Sequence, residues 1–395
     1  MSTQTHQLKE IYEKKTQLLF YGATISKEFY GQMKDLGTDF YKGRKGGAGP
    51  AGGRYFVFEN NSPVNVALYG HKSEQSHLVL NKVLDQDPQD EGYYYVELLN
   101  QKTGEVFRKL RLVPVPEEYN KATNLDGTIN RQIALIHAED VLASTIVQKC
   151  KYWRDGTRCK FCAIELSLLD KNTIERKSPE QLLEAIRTAK PMGLCKHIVL
   201  TSGTLNRPDK GAEYYIDVVS KIKQEFPILP IHIQIEPLED ISYLKKLKGA
   251  GVDTIGIHLE IPDDSLREEY CPGKSVIPKF EFEKYWEKAV ELFGRGQVTT
   301  FILIGFGEEK DETIKYIDKV IRMGVLPVIV PAREIVGTQF HPTNQYNLFK
   351  TVLDAASKQL IEHSLNPESN KAGCGRCEGC SSLNDGFRYF SEKSG

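Results

Sequence analysis

Six of the eight cysteines in this 395-residue chain fall into two tight groups, Cys150/Cys159/Cys162 and Cys374/Cys377/Cys380; only Cys195 and Cys271 stand apart. Scattered buried thiols do not bunch in this way. In a reducing compartment such groups suit metal ligation better than disulfides. The first group reads C-x8-C-x2-C and follows an apolar run, LASTIVQ, directly. Three thiolates on one loop suit a cuboidal iron–sulfur cluster, because each caps one iron and the fourth iron is left open for chemistry. The competing chemistry is a zinc site completed by a distant His or a fourth Cys. The second group reads C-x2-C-x2-C, with Gly373, Gly375 and Gly379 interleaved so that the loop can wrap tightly. It suits an auxiliary iron–sulfur cluster or a structural zinc knot. Its fourth ligand is not evident; Ser381, Ser382, a His or a bound substrate are the candidates.

The elements that position these groups are legible as alternation. From about residue 141, β-branched runs alternate with amphipathic stretches: LASTIVQ, HIVLTSG, IHIQIEP, DTIGIHLEIP, VTTFILIGFGE and VLPVIVPARE, five of them followed by a helical pattern. Six strands with five helices predict βα units on a parallel sheet. Periodicity leaves a curled partial barrel and an open doubly wound sheet both available. In either, the strand C-termini form the ligand-facing rim, and the polar residues there include Thr201, Gln234, Glu236, His258 and Glu260. Residues 1–115 read as a small α+β unit: a helical start, a glycine-dense stretch at 43–53, and a hairpin (YYYVELLN-QKTG-EVFRKLRL). Residues 116–340 carry the βα units and 341–395 a polar extension ending in the second cysteine group. The 52 Lys and Arg against 53 Asp and Glu give no basic footprint for nucleic acid. No apolar run approaches a membrane span, and the N-terminal residues lack the apolar core of a signal peptide. The expectation is a cytoplasmic protein without membrane or nucleic-acid partners.

The first cysteine group, with Phe161 just before its last Cys, resembles the radical S-adenosylmethionine (SAM) superfamily. The common spacing there is C-x3-C-x2-C, so the first loop here is five residues longer. Thr201–Ser202–Gly203 falls where that family's Gly-Gly-Glu motif meets the SAM amino group, with Thr204 replacing its Glu. His258–Leu259–Glu260 ends strand four, and Ile302–Glu308 is similar to the G-x-I-x-G-x-x-E element, with Phe301 in place of its first Gly. A finer resemblance is to the radical SAM proteins encoded beside nitrilases in bacterial nitrilase gene clusters. It rests on RKGGAGP (44–50), the long cysteine loop, HIQIEP (232–237) and the CGRC tail (374–377).

The resemblance implies an α/β fold: a partial (β/α)6 TIM-type barrel with an N-terminal α+β domain and a cysteine-rich C-terminal extension. It implies an enzyme in which a 4Fe–4S cluster on Cys150, Cys159 and Cys162 cleaves SAM reductively to a 5′-deoxyadenosyl radical. That radical takes hydrogen from a small-molecule substrate, and a flavodoxin or ferredoxin supplies the electron. The protein's share is to position the target carbon and exclude water. Thr201, Ser202, Gly203, Gln234, Glu236, His258, Glu260 and Gly305 become the expected SAM contacts, with Gly305 letting the adenine approach the backbone. The second cysteine group, as an auxiliary cluster over the barrel mouth, allows sulfur insertion of the biotin synthase or lipoyl synthase type as an alternative outcome. The alternative of another class is a zinc-stabilised α/β binding protein without redox chemistry.

Smaller readings complete the expectation. The stretch 43–53 lacks the G-K-[ST] ending of a phosphate loop. It is either a surface loop or one folded closely over the barrel mouth. Gln234 and Glu236 share a face, as do His258 and Glu260. His232 is in phase with Gln234 and suits core packing equally well. Cys195 and Cys271 read as buried thiols, and Lys274 as a cation able to reach a substrate carboxylate.

Overall fold

The computed structural model describes residues 3–35, 44–48, 52–68, 70–84, 94–113 and 116–394. Two sheets form, and their different topologies follow from their different connections. In the N-terminal sheet, β1 (Thr24–Ile25), β2 (Gly53–Val57), β3 (Pro63–Ala67), β4 (Leu78–Leu84), β5 (Tyr94–Asn100) and β6 (Glu105–Leu112) lie in the order β1-β4-β5-β6-β2-β3. The expected hairpin is β5–β6, antiparallel across residues 101–104.

The second sheet holds β7 (Leu135–His137), β8 (Val141–Val147), β9 (His197–Ser202), β10 (Ile231–Ile235), β11 (Thr254–Ile257), β12 (Val298–Ile304) and β13 (Val325–Pro331), in strict chain order. Strands β8 to β13 run parallel, and the helices Pro179–Ala189, Ala212–Glu225, Tyr243–Gly249, Lys279–Phe293 and Lys310–Arg322 follow five of them. A doubly wound sheet needs its strand order to reverse. Consecutive right-handed crossovers without reversal keep every helix on one face, so the sheet curls. It remains a partial (β/α)6 barrel. One strand escaped the sequence pattern: β7, only three residues long, pairs antiparallel with β8 at one edge.

The period-two phase of these strands separates a dry side from a wet one. Ile198, Leu200, Ile231, Ile233, Ile255 and Ile257 point outward into the main core, where they meet Val218, Ile222, Tyr285 and Trp286 of the helices. The alternate residues point inward and are largely polar: Thr201, Gln234, His258 and their neighbours. The barrel interior is therefore a chamber rather than a filled core.

The chain termini brace this barrel together. The N-terminal helix Thr3–Tyr21 contributes Leu18 and Leu19 to the N-terminal sheet's core, and Tyr12 and Phe20 to a core shared with Phe349, Val352 and Tyr389 of the last two long helices. Lys15 is fully buried and pairs with Asp385 (2.6 Å), while Ser62 donates to the same carboxylate (2.7 Å). One ion pair thus ties the first helix, the β2–β3 turn and the C-terminal helix Leu383–Ser394.

Candidate active site

Cys150 follows β8, and the five extra residues of the x8 spacing are used to build a helical turn, Lys151–Arg154. That turn brings Tyr152 inward, where its hydroxyl donates to Glu236 Oε1 (2.9 Å). Glu165 accepts from the Cys150 amide (3.0 Å) and anchors the loop's start. The Thr201–Gly203 turn presses on the same point. Gly203 donates its amide to Val147 (2.8 Å), and a Cβ at Gly203 would lie 2.1 Å from the Lys149 carbonyl oxygen, so only glycine fits. The described part of the glycine-dense stretch, residues 44–48, clamps the loop from the other side. Gly46 exchanges hydrogen bonds with Ser167 (3.0 and 2.9 Å), and its missing Cβ would sit 2.3 Å from the Ala163 carbonyl carbon. Of the two expectations for this stretch, close folding at the barrel mouth is the one its described residues follow.

The second cysteine group arrives from the opposite end. Lys371 N donates to Gln297 Oε1 (3.0 Å), Thr254 Oγ1 donates to the Ala372 carbonyl (2.9 Å), and Gly373 N donates to His197 Nδ1 (3.3 Å). His197 and Thr254 open β9 and β11, and Gln297 precedes β12. The tail therefore seals the N-terminal ends of the strands, where the expectation placed it over the mouth. The reason is that Gln297, Thr254 and His197 offer inward polar groups there, and the tail backbone satisfies them. It then runs up to the N-terminal sheet, where Gly379 accepts from Asn65 N (2.6 Å).

Both groups face one cavity of about 410 Å³. Cys150, Cys159 and Cys162 line it, as do Cys374, Cys377 and Cys380. Of the expected SAM contacts, Thr201, Ser202, Gly203, Gln234, Glu236, His258 and Glu260 all lie on its wall. Gly305 does not join them. Its N–H donates to Glu308 Oε1 (2.8 Å) and its carbonyl accepts from Thr343 N (2.8 Å), so its backbone is engaged in the turn.

Two ion pairs stand across the chamber. Lys274 reaches both Glu260 oxygens (2.7 and 2.8 Å), and Lys210 pairs with Glu236 (3.0 Å). Burial works against the Lys274 ammonium, but Glu260 and Glu236 hold its pKa above the ordinary lysine value. Lys210 and Tyr152 carried no motif in the sequence; only the fold makes them neighbours of Glu236. Tyr55 and His137, also on the wall, come from outside the six strands and were likewise missed. His258 stacks on Phe301 (4.2 Å between ring centroids) and accepts from the Phe301 amide at Nδ1 (3.1 Å). Burial keeps its ring neutral, so Nε2 carries the proton, and it has no partner among the described residues. His232 takes the packed role, its Nδ1 against Thr254 Oγ1 (2.8 Å). Cys195 is in the main core, as expected.

The donor sets fit iron–sulfur groups. Burial pushes Cys162 and Cys377 up to about 12 and raises Cys150 and Cys374 as well. Thiols so desolvated ionise when a metal takes the proton's place. Among the described residues, no three His, Cys, Asp or Glu side chains gather round a point as ligands of a single ion would. A cubane sets a different demand, because each thiolate binds a separate iron.

Residues 156–320 match the Radical SAM superfamily model, so the chain carries a radical SAM enzyme domain. The match begins six residues beyond Cys150, just inside the lengthened loop. The superfamily's cofactors are a 4Fe–4S cluster and SAM. A 5-amino-6-(D-ribitylamino)uracil–L-tyrosine 4-hydroxyphenyl transferase of Methanosarcina barkeri is 29% identical over 171 residues, 40% of this chain and 42% of that protein. Lipoyl synthase of Oceanobacillus iheyensis is 25% identical over 178 residues, 42% of this chain and 51% of the other. The chain thus spans about half or less of these relatives' length. Among solved structures, methylornithine synthase superposes with a TM-score of 0.46 at 19% identity, over 62% of this chain and 69% of that one. No helix among the described residues is long and apolar enough to cross a membrane.

Proposed function

We propose that this chain is a radical SAM enzyme acting on a small molecule held between two iron–sulfur sites. The observation that carries the reading is the single cavity lined by both cysteine groups. Cys150, Cys159 and Cys162 would hold a 4Fe–4S cluster at the strand C-termini. When bound, that cluster supplies the electron that splits SAM to methionine and a 5′-deoxyadenosyl radical, for which a flavodoxin or ferredoxin is the donor. The chain's own residues do the rest. Glu260, Glu236, Gln234 and the Thr201–Gly203 turn receive SAM's polar groups, with Lys274 and Lys210 neutralising the two carboxylates. His258 offers its Nε2–H to a bound acceptor. The tail and N-terminal sheet close the chamber against water.

Cys374, Cys377 and Cys380 hold an auxiliary cluster facing the substrate. Sulfur insertion is the second reading, favoured because that cluster would stand on the chamber wall rather than at the surface. The glycine stretch, the long cysteine loop and the CGRC tail further support membership of the group encoded beside nitrilases, and hence a small nitrile- or amino-acid-like metabolite. The test is anaerobic purification followed by reduction with SAM present. Brown protein that forms 5′-deoxyadenosine supports the reading. Colourless, zinc-holding protein after careful reconstitution contradicts it and returns the non-redox binding protein.

A further inference from the structure

The second cysteine group supplies three ligands, and the fold narrows what can be the fourth. Ser382 is fully buried, its Oγ against Thr16 Oγ1 (2.7 Å). Ser381 Oγ accepts from Leu383 N (3.3 Å). Neither serine is on the chamber wall. The chamber's carboxylates, Glu236 and Glu260, are held by Lys210 and Lys274. That leaves the histidines.

His137, His197, His232 and His258 each have a buried Nε2 without a partner among the described residues, and burial keeps all four rings neutral. A neutral imidazole has one N–H and one bare nitrogen, and neighbouring hydrogen bonds decide which is which. Gly373 N donates to His197 Nδ1 (3.3 Å) and Phe301 N to His258 Nδ1 (3.1 Å), so in both rings Nε2 carries the proton and offers a metal no lone pair. Thr254 spends its one proton on the Ala372 carbonyl (2.9 Å), so His232 donates to it from Nδ1 (2.8 Å) and keeps Nε2 bare. That nitrogen points at Gly256, where a Cβ would lie 3.1 Å away, and His232 is not on the chamber wall. His137 differs from all three. It stands on the wall with Cys374, Cys377 and Cys380, and no hydrogen bond among the described residues fixes its tautomer. Its ring packs on Tyr55 (5.1 Å between centroids), whose hydroxyl is 3.8 Å from Cys380 Sγ. The next residue, Ala138, shares an apolar cluster with Cys377.

We propose that His137, through Nε2, is the fourth ligand of the second cluster and closes it at all four irons. The inference rests on the reading that Cys374, Cys377 and Cys380 hold an iron–sulfur cluster. A cluster closed in this way has no iron left for the substrate to bind, so the substrate meets its sulfurs and not its metal. Imidazole in place of a thiolate also removes one negative charge, which raises the potential at which the cluster takes an electron.

The test uses the full chain, reconstituted anaerobically with SAM added to cover the first cluster's fourth iron, then briefly oxidised and read by iron analysis and EPR. The unsubstituted protein should keep roughly eight irons per chain and show no three-iron signal. His137→Ala should fall to roughly seven irons and show that signal, because the cubane iron without a protein ligand is the one oxidation releases. Reconstituting His137→Ala with imidazole present, which fills the space the side chain leaves, should recover the eighth iron. A three-iron signal already present in the unsubstituted protein overturns the proposal and makes the substrate the fourth ligand. So does His137→Ala with its iron unchanged, or loss of the whole second cluster that imidazole does not restore. If the unsubstituted protein holds no more than roughly four irons before oxidation, the cluster reading itself has failed, and the two failures are distinguishable.

Discussion

The two cysteine groups contain the same three ligands but sit in unlike surroundings. The first lies on one loop at the strand C-termini, beside the Lys274–Glu260 and Lys210–Glu236 pairs, with charge available for a polar cofactor. The second is pinned between separate parts of the chain. Its sulfurs meet neutral polar groups: Gln234 Nε2 at 3.8 Å from Cys374 Sγ, and Tyr55 OH and Asn65 Nδ2 at 3.8 and 4.0 Å from Cys380 Sγ, with the buried Arg333 guanidinium close behind Cys380. A site with two ion pairs beside its cysteines suits the binding of a charged, polar cofactor. One stitched to the barrel floor and to a second sheet suits a fixed wall.

The sharpest way to break this contrast is to remove each group in turn. Cys159→Ala should abolish 5′-deoxyadenosine formation. Replacing Cys374, Cys377 and Cys380 together by Ala should leave SAM cleavage while stopping product, with iron falling from roughly eight to roughly four per chain as two cubanes become one. Loss of one zinc and no iron would make the tail a structural knot. Next in size is the brace behind the second site. Lys15→Ala removes the nearest cation from the buried Asp385 carboxylate, leaving it Ser62 (2.7 Å) and the more distant Arg388 (3.6 Å), and should cost about 3 kcal/mol, read as a large fall in Tm. Unaltered Tm would mean the tail is held without that pair.

A smaller effect sharpens the first site. Glu260→Ala leaves the buried Lys274 ammonium without its bidentate partner, and SAM affinity should fall about tenfold, or roughly 1.4 kcal/mol, with iron unchanged. Equal affinity would remove the end of β11 from the SAM pocket. The smallest concerns one hydrogen bond: Tyr55→Phe should cost about 1 kcal/mol of stability and leave SAM cleavage as it was.

Much of the barrel was legible because its signals are local. All six expected strands and their five helices appear, since each carries its own apolar period and caps such as Ser178, which accepts from Gln181 N (3.2 Å). Strand β7 was not, because three residues make no period. The cysteines and inward polar residues were legible from spacing and phase. Their long-range partners were not: Lys210 meets Glu236 across one helix and one strand, and Lys160 N donates to Tyr270 O (2.8 Å) across more than one hundred residues of intervening chain. Which end of the barrel the tail covers depends on Gln297, Thr254 and His197, three residues without a motif between them.

The central claim, two clusters facing one chamber, is tested most directly by iron and zinc analysis of the anaerobically reconstituted full chain, combined with EPR of the reduced protein before and after adding SAM. The account predicts about eight irons per chain, no stoichiometric zinc, and two cluster signals of which only one shifts with SAM. About four irons with one zinc, or two signals that both shift, would contradict it.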